Sequence, residues 1–215
     1  MKKFSIMCAA VLLTSASVMA ANDITLKDVT GSTFKAEMVS GMDPIPGTDQ
    51  YASISDDGKK IITYSFRTGK ETSVLLDVKN TIGEKIDKVD GYILSPDGSR
   101  MLVQTNTRRI YRRSFTADYY IYTIKSHKLE KLSDGGSQQC PVWSPDGLQV
   151  AFVRDNNIFL VKLLYDNAES QVTKDGKFRE IINGIPDWVN EEEFSVYSRI
   201  SRYGNTRNKL YLWIC

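Results

Sequence analysis

Short apolar segments, many alternating with polar positions, run along most of the chain and are separated by Gly, Asp, Asn and Pro. No helical spacing of apolar residues persists long enough to predict a long helix. β-Branched and aromatic residues dominate 61–66 and 73–78, and the turn-forming stretch 67–70 between them predicts a hairpin. The segment 155–157, Asp-Asn-Asn, predicts a second hairpin turn, because these residues tolerate positive φ. Four further segments show the same strand pattern, 101–104, 119–122, 150–153 and 158–161.

A repeated turn follows three of the predicted strands. The sequence Ser-x-Asp-Gly places its Asp-Gly pair at 57–58, 97–98 and 146–147, so the repeats are spaced by 40 and then 49 residues. Pro presets φ, Asp hydrogen-bonds nearby backbone, and Gly takes the left-handed conformation. An interval of ~40–50 residues is typical of β-propeller blades. We therefore predict an all-β fold, a partial β-propeller of about three to four blades of four antiparallel strands.

The first twenty residues have the features of a signal peptide. Lys2 and Lys3 precede a mainly apolar segment, 4–13, and small residues follow as far as Ala20. The apolar segment is shorter than the ~20 residues that cross a bilayer, which disfavours a membrane anchor. We therefore expect an exported protein without a membrane span, located in the periplasm or at the cell surface.

The predicted domains follow from the repeat and its interruption. A fourth Ser-Pro-Asp-Gly turn is due near 200–205, but the sequence there is basic and contains no such turn. We expect a truncation or a frame slip after about Tyr197, so that a larger propeller is only partly represented. The predicted divisions are a signal peptide at 1–20, a lead-in strand region at 21–50, blades at 51–197 and an atypical tail at 198–215.

Charge and reactive side chains exclude several functions. Without the signal peptide, 26 basic and 26 acidic residues remain, which disfavours a nucleic-acid partner. Cys140 and Cys215 could pair in an oxidising compartment, although an ordinary half-buried thiol is the favoured interpretation of Cys140. Neither cysteine has metal-ligand spacing. The only histidine, His127, lies in a polar turn, and no Gly-x-Ser-x-Gly sequence occurs. We predict no catalytic residue, metal or cofactor within this chain.

Two charged segments are candidates for binding. Residues 187–194 read Asp-Trp-Val-Asn-Glu-Glu-Glu-Phe, three adjacent acids between two residues that prefer burial. The segment is either a solvated surface or a binding site, and buried Trp188 and Phe194 would hold the acids beside a bound cation. An ammonium with three donors suits paired carboxylates, and calcium is the alternative ligand. Four arginines, Arg108, Arg109, Arg112 and Arg113, form the second segment; most are expected in surface ion pairs, and one could bind a substrate carbonyl.

The stretch from about residue 24 to 194 resembles dipeptidyl peptidase IV and its relatives among the prolyl oligopeptidase-type serine peptidases, most closely a Bacteroides-like bacterial branch. The resemblance rests on Asn-Gly-Ile-Pro-Asp-Trp-Val-Asn-Glu-Glu-Glu-Phe at 183–194, on Tyr-Arg-Arg-Ser-Phe-Thr-Ala-Asp at 111–118, and on the blade sequences between them. The family usually has an aromatic residue where this chain has Asn190. This resemblance implies an N-terminal segment of an eight-bladed propeller.

The resemblance also implies a role for particular residues. Members of this family release dipeptides after Pro or Ala from the N-termini of peptides. Glu192 and Glu193 would bind the free α-amino group, and Arg112 would bind a substrate carbonyl. The family's catalytic triad lies in a C-terminal α/β-hydrolase domain, which would be missing here, so the chain alone is expected to be inactive. Peptides with a free N-terminus and the missing hydrolase domain are the implied partners, and a homodimer is possible.

Two other interpretations remain open. A free-standing periplasmic propeller can carry similar repeats and act as a binding scaffold without chemistry. That alternative gives no reason for the acidic motif and the arginine segment to occur together. The third interpretation is a non-functional product that does not fold.

Overall fold

The computed structural model describes residues 24–31, 33–34 and 41–200. The predicted signal peptide, Cys215 and the tail from residue 201 onward lie outside the described residues. The chain divides into two compact units, residues 1–39 and 40–215. None of the helices in the described part is long and apolar enough to cross a membrane.

The first unit contains the short helix α1 (Leu26–Thr30). Thr25 and Asp28 form a capping box: the Thr25 hydroxyl accepts from the Asp28 N–H at 3.2 Å, and the Asp28 carboxylate accepts from the Thr25 N–H at 3.0 Å. These bonds satisfy two N–H groups that the first helical turn leaves without partners. Part of the segment described above as lead-in strands is therefore helical.

Three sheets follow one another along the second unit, and their strands confirm the predicted all-β fold. The first and third sheets have four antiparallel strands each. The second has a fifth strand, because Ile82 and Gly83, which connect the first sheet to the second, pair in parallel with Lys128 and Leu129 of its outer strand. The first sheet consists of β1 (Asp43–Pro44), β2 (Gln50–Ile54), β3 (Lys60–Ser65) and β4 (Glu71–Asp77); the second of β5 (Ile82–Gly83), β6 (Gly91–Leu94), β7 (Arg100–Arg109), β8 (Phe115–Thr123) and β9 (Lys128–Lys131); and the third of β10 (Gln139–Trp143), β11 (Gln149–Arg154), β12 (Asn157–Lys162) and β13 (Ala168–Gln171).

The repeated turns have one geometry in all three sheets. In the first, the Ser55 hydroxyl donates to Asp57 at 2.7 Å and accepts from the Lys60 N–H at 2.9 Å. Asp57 also accepts from the Lys59 N–H at 3.0 Å, and Gly58 has φ of 69°. The glycines of the other two turns both have φ of 68°. The same bonds recur with Ser95 and Asp97, and with Ser144 and Asp146. The predicted turn mechanism is confirmed.

The core lies between successive sheets. Ile61 and Leu76 of the first sheet pack with Met101 and Tyr122 of the second. On the other side of the second sheet, a second cluster includes Leu102, Ala117, Tyr119 and Ile121, with Trp143, Val150, Phe152 and Phe159 of the third. Because side chains alternate along a strand, both faces of the middle sheet are covered. This layering of sheets is the arrangement expected of propeller blades.

The segment after the third sheet positions the candidate site. It runs back over that sheet, where Ile200 and Ile185 pack with Val153 and Ile158. The N–H of Arg199 donates to the carbonyl of Gly184 at 2.9 Å. Between these contacts lies helix α2 (Trp188–Phe194), which contains the acidic run. The predicted hairpin turn before β12 is also confirmed, with φ of 49° at Asp155 and 58° at Asn156.

Candidate functional site

Helix α2 starts at a side-chain cap. The Asp187 carboxylate accepts from the N–H of Asn190 at 2.8 Å and from its side-chain Nδ2 at 3.0 Å. These two bonds lower the pKa of Asp187 below its usual value. Asn190 also accepts from Arg199 at 3.2 Å, so it joins the helix start to the returning chain. The acidic run is therefore a capped helix, and its three glutamates point in different directions, because adjacent helical residues do not face one another.

Glu191 is the one member of α2 that is buried, with 2% of its surface exposed. Its Oε1 accepts two backbone hydrogen bonds, from Arg113 N at 2.7 Å and from Ser114 N at 2.9 Å. Burial raises the pKa of Glu191, but the nearby Ser114 side chain and the hydrogen bonds from both backbone N–H groups, together with the Arg113 charge, outweigh burial and leave the pKa lowered. Glu191 is therefore held as a carboxylate against the loop between β7 and β8.

Arg112 and Glu192, two of the three predicted site residues, lie close together next to the Glu191 contact. The Arg112 Nε lies 3.3 Å from Oε2 of Glu192. The arginine side chain is 75% exposed, whereas that of Glu192 is 19% exposed. Glu193, the third, is exposed on the next position of the helix. Among the arginines of the predicted basic segment, Arg112 is the one with an ion pair in the described part of the chain.

The expectation that Trp188 and Phe194 are buried at the ends of the run is wrong. Their exposed fractions are 55% and 69%. The helix has only two turns, and the buried Glu191 occupies the side that faces the β7–β8 loop. The acidic run is thus fixed by hydrogen bonds of Glu191 and by the Asp187 cap, not by aromatic packing.

A cavity of about 540 Å³ lies beside these residues. Tyr111 and Ser114 of the β7–β8 loop line one part of it, and Trp188 and Glu191 of α2 line another. Phe178, 75% exposed, adds an apolar surface. Arg112, Glu192 and Glu193 do not line this cavity, and they do not line a larger groove of about 730 Å³ along β9 and residues 166–169.

Two further reactive side chains, His127 and Cys140, lie in the described part of the chain. His127 is exposed in the turn before β9, as predicted, and its Nδ1 lies 2.7 Å from the Tyr122 hydroxyl. Cys140 is a half-buried free thiol, as predicted; burial raises its pKa to about 11, and it donates to the Tyr197 carbonyl at 3.1 Å. Within residues 24–31, 33–34 and 41–200, no three His, Cys, Asp or Glu side chains form a metal-binding group.

The family resemblance assigned roles to Arg112, Glu192 and Glu193 but none to Glu191. The Asp187-to-Asn190 spacing is a recognisable helix start, and it would have predicted that the three acids diverge. No local pattern shows that Glu191 contacts a loop 77 residues away.

The stacked sheets with their shared turn define a β-propeller segment, and α2 adds an acidic helix beside an arginine-bearing loop. Residues 95–201 match the family model described as dipeptidyl peptidase IV (DPP IV) N-terminal region. The chain belongs to the dipeptidyl peptidase IV family, which confirms the resemblance seen in the sequence.

Individual relatives agree with that assignment. The probable dipeptidyl peptidase 4 of Aspergillus fumigatus is 37% identical over 151 residues, which cover 67% of this chain and 19% of the relative. Human prolyl endopeptidase FAP is 32% identical over 179 residues, 79% of this chain and 21% of the relative. The crystal structure of Porphyromonas gingivalis dipeptidyl peptidase 4 superposes with a TM-score of 0.76 at 34% identity, covering 81% of this chain and 25% of that one. The chain thus spans about a fifth of the length of these curated relatives.

Proposed function

We propose that this chain is the substrate-recognition propeller segment of a serine-type dipeptidyl peptidase. In this proposal Glu192 and Glu193 bind the α-ammonium group of a peptide, and Arg112 donates to a carbonyl of the same peptide. The observation that carries the proposal is the 3.3 Å approach of Arg112 to Glu192, which joins a cationic donor and an anionic acceptor from distant parts of the sequence.

The chemistry of the two groups suits the start of a peptide. A primary ammonium has three donors, and charge-assisted hydrogen bonds to carboxylates are the strong ones. A carboxylate offers about four acceptor positions, so Glu192 can bind an ammonium and the Arg112 guanidinium together. The guanidinium has five donors and can bind a carbonyl as well as Glu192. An ammonium and a carbonyl lie two bonds apart at every free peptide N-terminus.

Binding to the purified chain tests the proposal. Calorimetric titration with Gly-Pro amide should show binding, whereas the N-acetylated form should bind at least about tenfold more weakly, because acetylation removes the charged donor. The double variant Glu192→Gln, Glu193→Gln should lose the preference. Glu71→Gln, which alters an exposed glutamate of the first sheet, is the matched control. Equal affinity for the free and acetylated peptides would contradict the proposal.

Catalysis is proposed to need a further domain. The family resemblance assigns the Ser-Asp-His triad to an α/β-hydrolase domain, and we propose that this chain releases no dipeptide by itself. Release of the chromophore from a Gly-Pro p-nitroanilide substrate by the purified chain would refute this part of the proposal.

Export is proposed from the N-terminal sequence. Cleavage after Ala20 would deliver the propeller to the periplasm or the cell surface, where peptides are available. N-terminal sequencing of the chain recovered from cell fractions should read Ala-Asn-Asp-Ile. A chain that keeps Met1 and stays in the cytoplasm would overturn it.

A further inference from the structure

We infer that Glu191 is a positioning residue that sets Arg112 beside Glu192, an inference that rests on the proposed function. Glu191 is 2% exposed, and both of its backbone hydrogen bonds end on one oxygen. The two N–H donors belong to Arg113 and Ser114, the residues that directly follow Arg112. One carboxylate therefore fixes both the position of α2 and the path of the loop.

The loop has few other contacts at this point. Its own backbone bonds run from the N–H groups of Ile110 and Tyr111 to the carbonyl of Ser114, at 3.0 and 3.3 Å, and the exposed Arg109 guanidinium donates to the Arg112 carbonyl at 3.3 Å. Ile110 and Tyr111 are 45% and 48% exposed, so packing adds little. The hydrogen bonds of Glu191 join the loop to the helix, and so does the Arg112–Glu192 ion pair, whose arginine is mostly solvated. Solvated ion pairs contribute little to stability, because water screens the charges.

Because the bonded residues are sequence neighbours of Arg112 and Glu192, the contact aligns the loop with the helix. Glu192 directly follows Glu191, and Arg112 directly precedes Arg113. When Glu191 binds the N–H groups of Arg113 and Ser114, the neighbouring Arg112 and Glu192 are therefore placed side by side. Loss of the bonds would release the loop and let Arg112 turn into solvent. Peptide affinity would then fall even though Glu192, Glu193 and Arg112 are all present.

Substitutions at Glu191 separate positioning from direct charge. Glu191→Gln keeps an oxygen at the Oε1 position and can still accept both N–H groups, although neutral acceptors are weaker. Glu191→Asp keeps the charge but is one methylene shorter, so it cannot reach both donors. Positioning predicts that the glutamine variant retains most of the peptide affinity and that the aspartate variant loses about tenfold or more, the effect of losing hydrogen bonds to a charged group. If Glu191 instead contacted the peptide ammonium through its charge, the aspartate variant should keep more of the peptide affinity than the glutamine variant.

Nuclear magnetic resonance of the full chain tests the inference apart from peptide binding. Three signals report on the loop: the amide protons of Arg113 and Ser114, and the Nε–H of Arg112. Their chemical shifts and their protection from hydrogen exchange should stay close to native in Glu191→Gln. In Glu191→Asp the shifts should change and the protection should be lost. Glu71→Asp is the control, and circular dichroism checks that each variant is folded. Unchanged loop signals in a folded Glu191→Asp variant would overturn the positioning role.

The two proposals fail in different ways. If the native chain does not prefer Gly-Pro amide to its acetylated form, the proposed function fails, whatever the loop signals show. If the native chain has that preference and Glu191→Asp binds Gly-Pro amide as tightly as the native chain does, the positioning role of Glu191 fails and the proposed function stands.

Discussion

The repeated turns and the α2 site differ in the distance over which their bonds act. In the turn at Ser95, the partners are Asp97, Ser99 and Arg100, all within five residues. At the site, Glu191 reaches residues 77 and 78 positions away. Local bonds of this kind can be inferred from a short sequence motif. Long-range bonds depend on the stacking of whole sheets. A short motif contains only one of the two bonded residues, so it cannot identify the partner.

The two regions also differ in what their tryptophans do. Trp143 is 1% exposed in the core between the second and third sheets, and its indole N–H donates to the Ile93 carbonyl at 3.1 Å. Trp188 is 55% exposed and lines the cavity at the site. Stability is therefore concentrated in the propeller layers, and the site has aromatic surface that remains open to a ligand.

The largest expected effect is that of Trp143→Ala. Removing a buried tryptophan costs about 3–5 kcal/mol of unfolding free energy, because a cavity remains and a packed side chain is lost. Urea denaturation followed by circular dichroism measures the change. Trp188→Ala is the matched control in the other region and should change stability by less than about 0.5 kcal/mol. Equal losses in the two variants would contradict the division between layers and site.

A smaller effect is expected from the turn glycines. Gly147 has φ of 68°, and an added Cβ would have its nearest neighbour at 3.6 Å, so backbone strain and not steric overlap sets the cost. Gly147→Ala should destabilise the fold by about 1–2 kcal/mol, the penalty of the left-handed conformation. Asn tolerates this conformation better, so Gly147→Asn should cost less in the same denaturation experiment. Ala and Asn variants of equal stability would argue against strain as the cause.

Local features of the fold could be predicted from the sequence, whereas the long-range contacts of the site could not. The strands around 101–104 and 150–153 were predicted because apolar periodicity is local, and the three turns were predicted because Ser, Asp and Gly each have a local role. The family resemblance assigned Arg112 and Glu192 to the binding of one substrate, but it gave no contact between them. That contact could not be derived from spacing, since they are 80 residues apart. The burial of Glu191 and the exposure of Trp188 could not be predicted, because side-chain preference alone assigns the aromatic residue to the interior.

The smallest expected effect is a pH dependence of the repeated turn. Hydrogen bonds from the hydroxyls of Ser95 and Ser99 lower the pKa of Asp97 to about 2, although partial burial opposes them. A carboxyl group whose pKa is lowered by folding stabilises the fold at pH values above its pKa in the unfolded chain, near 3.8. This contribution disappears as the pH falls towards 2. Asp97 is mostly solvated, so the contribution should stay below about 1 kcal/mol. Native chain and Asp97→Asn, compared by urea denaturation, should differ most at pH 5 and converge between pH 4 and 2. A difference that is constant over this range would show that the carboxylate charge does not stabilise the turn, and the strength of the repeat would then come from hydrogen-bond geometry that Asn retains.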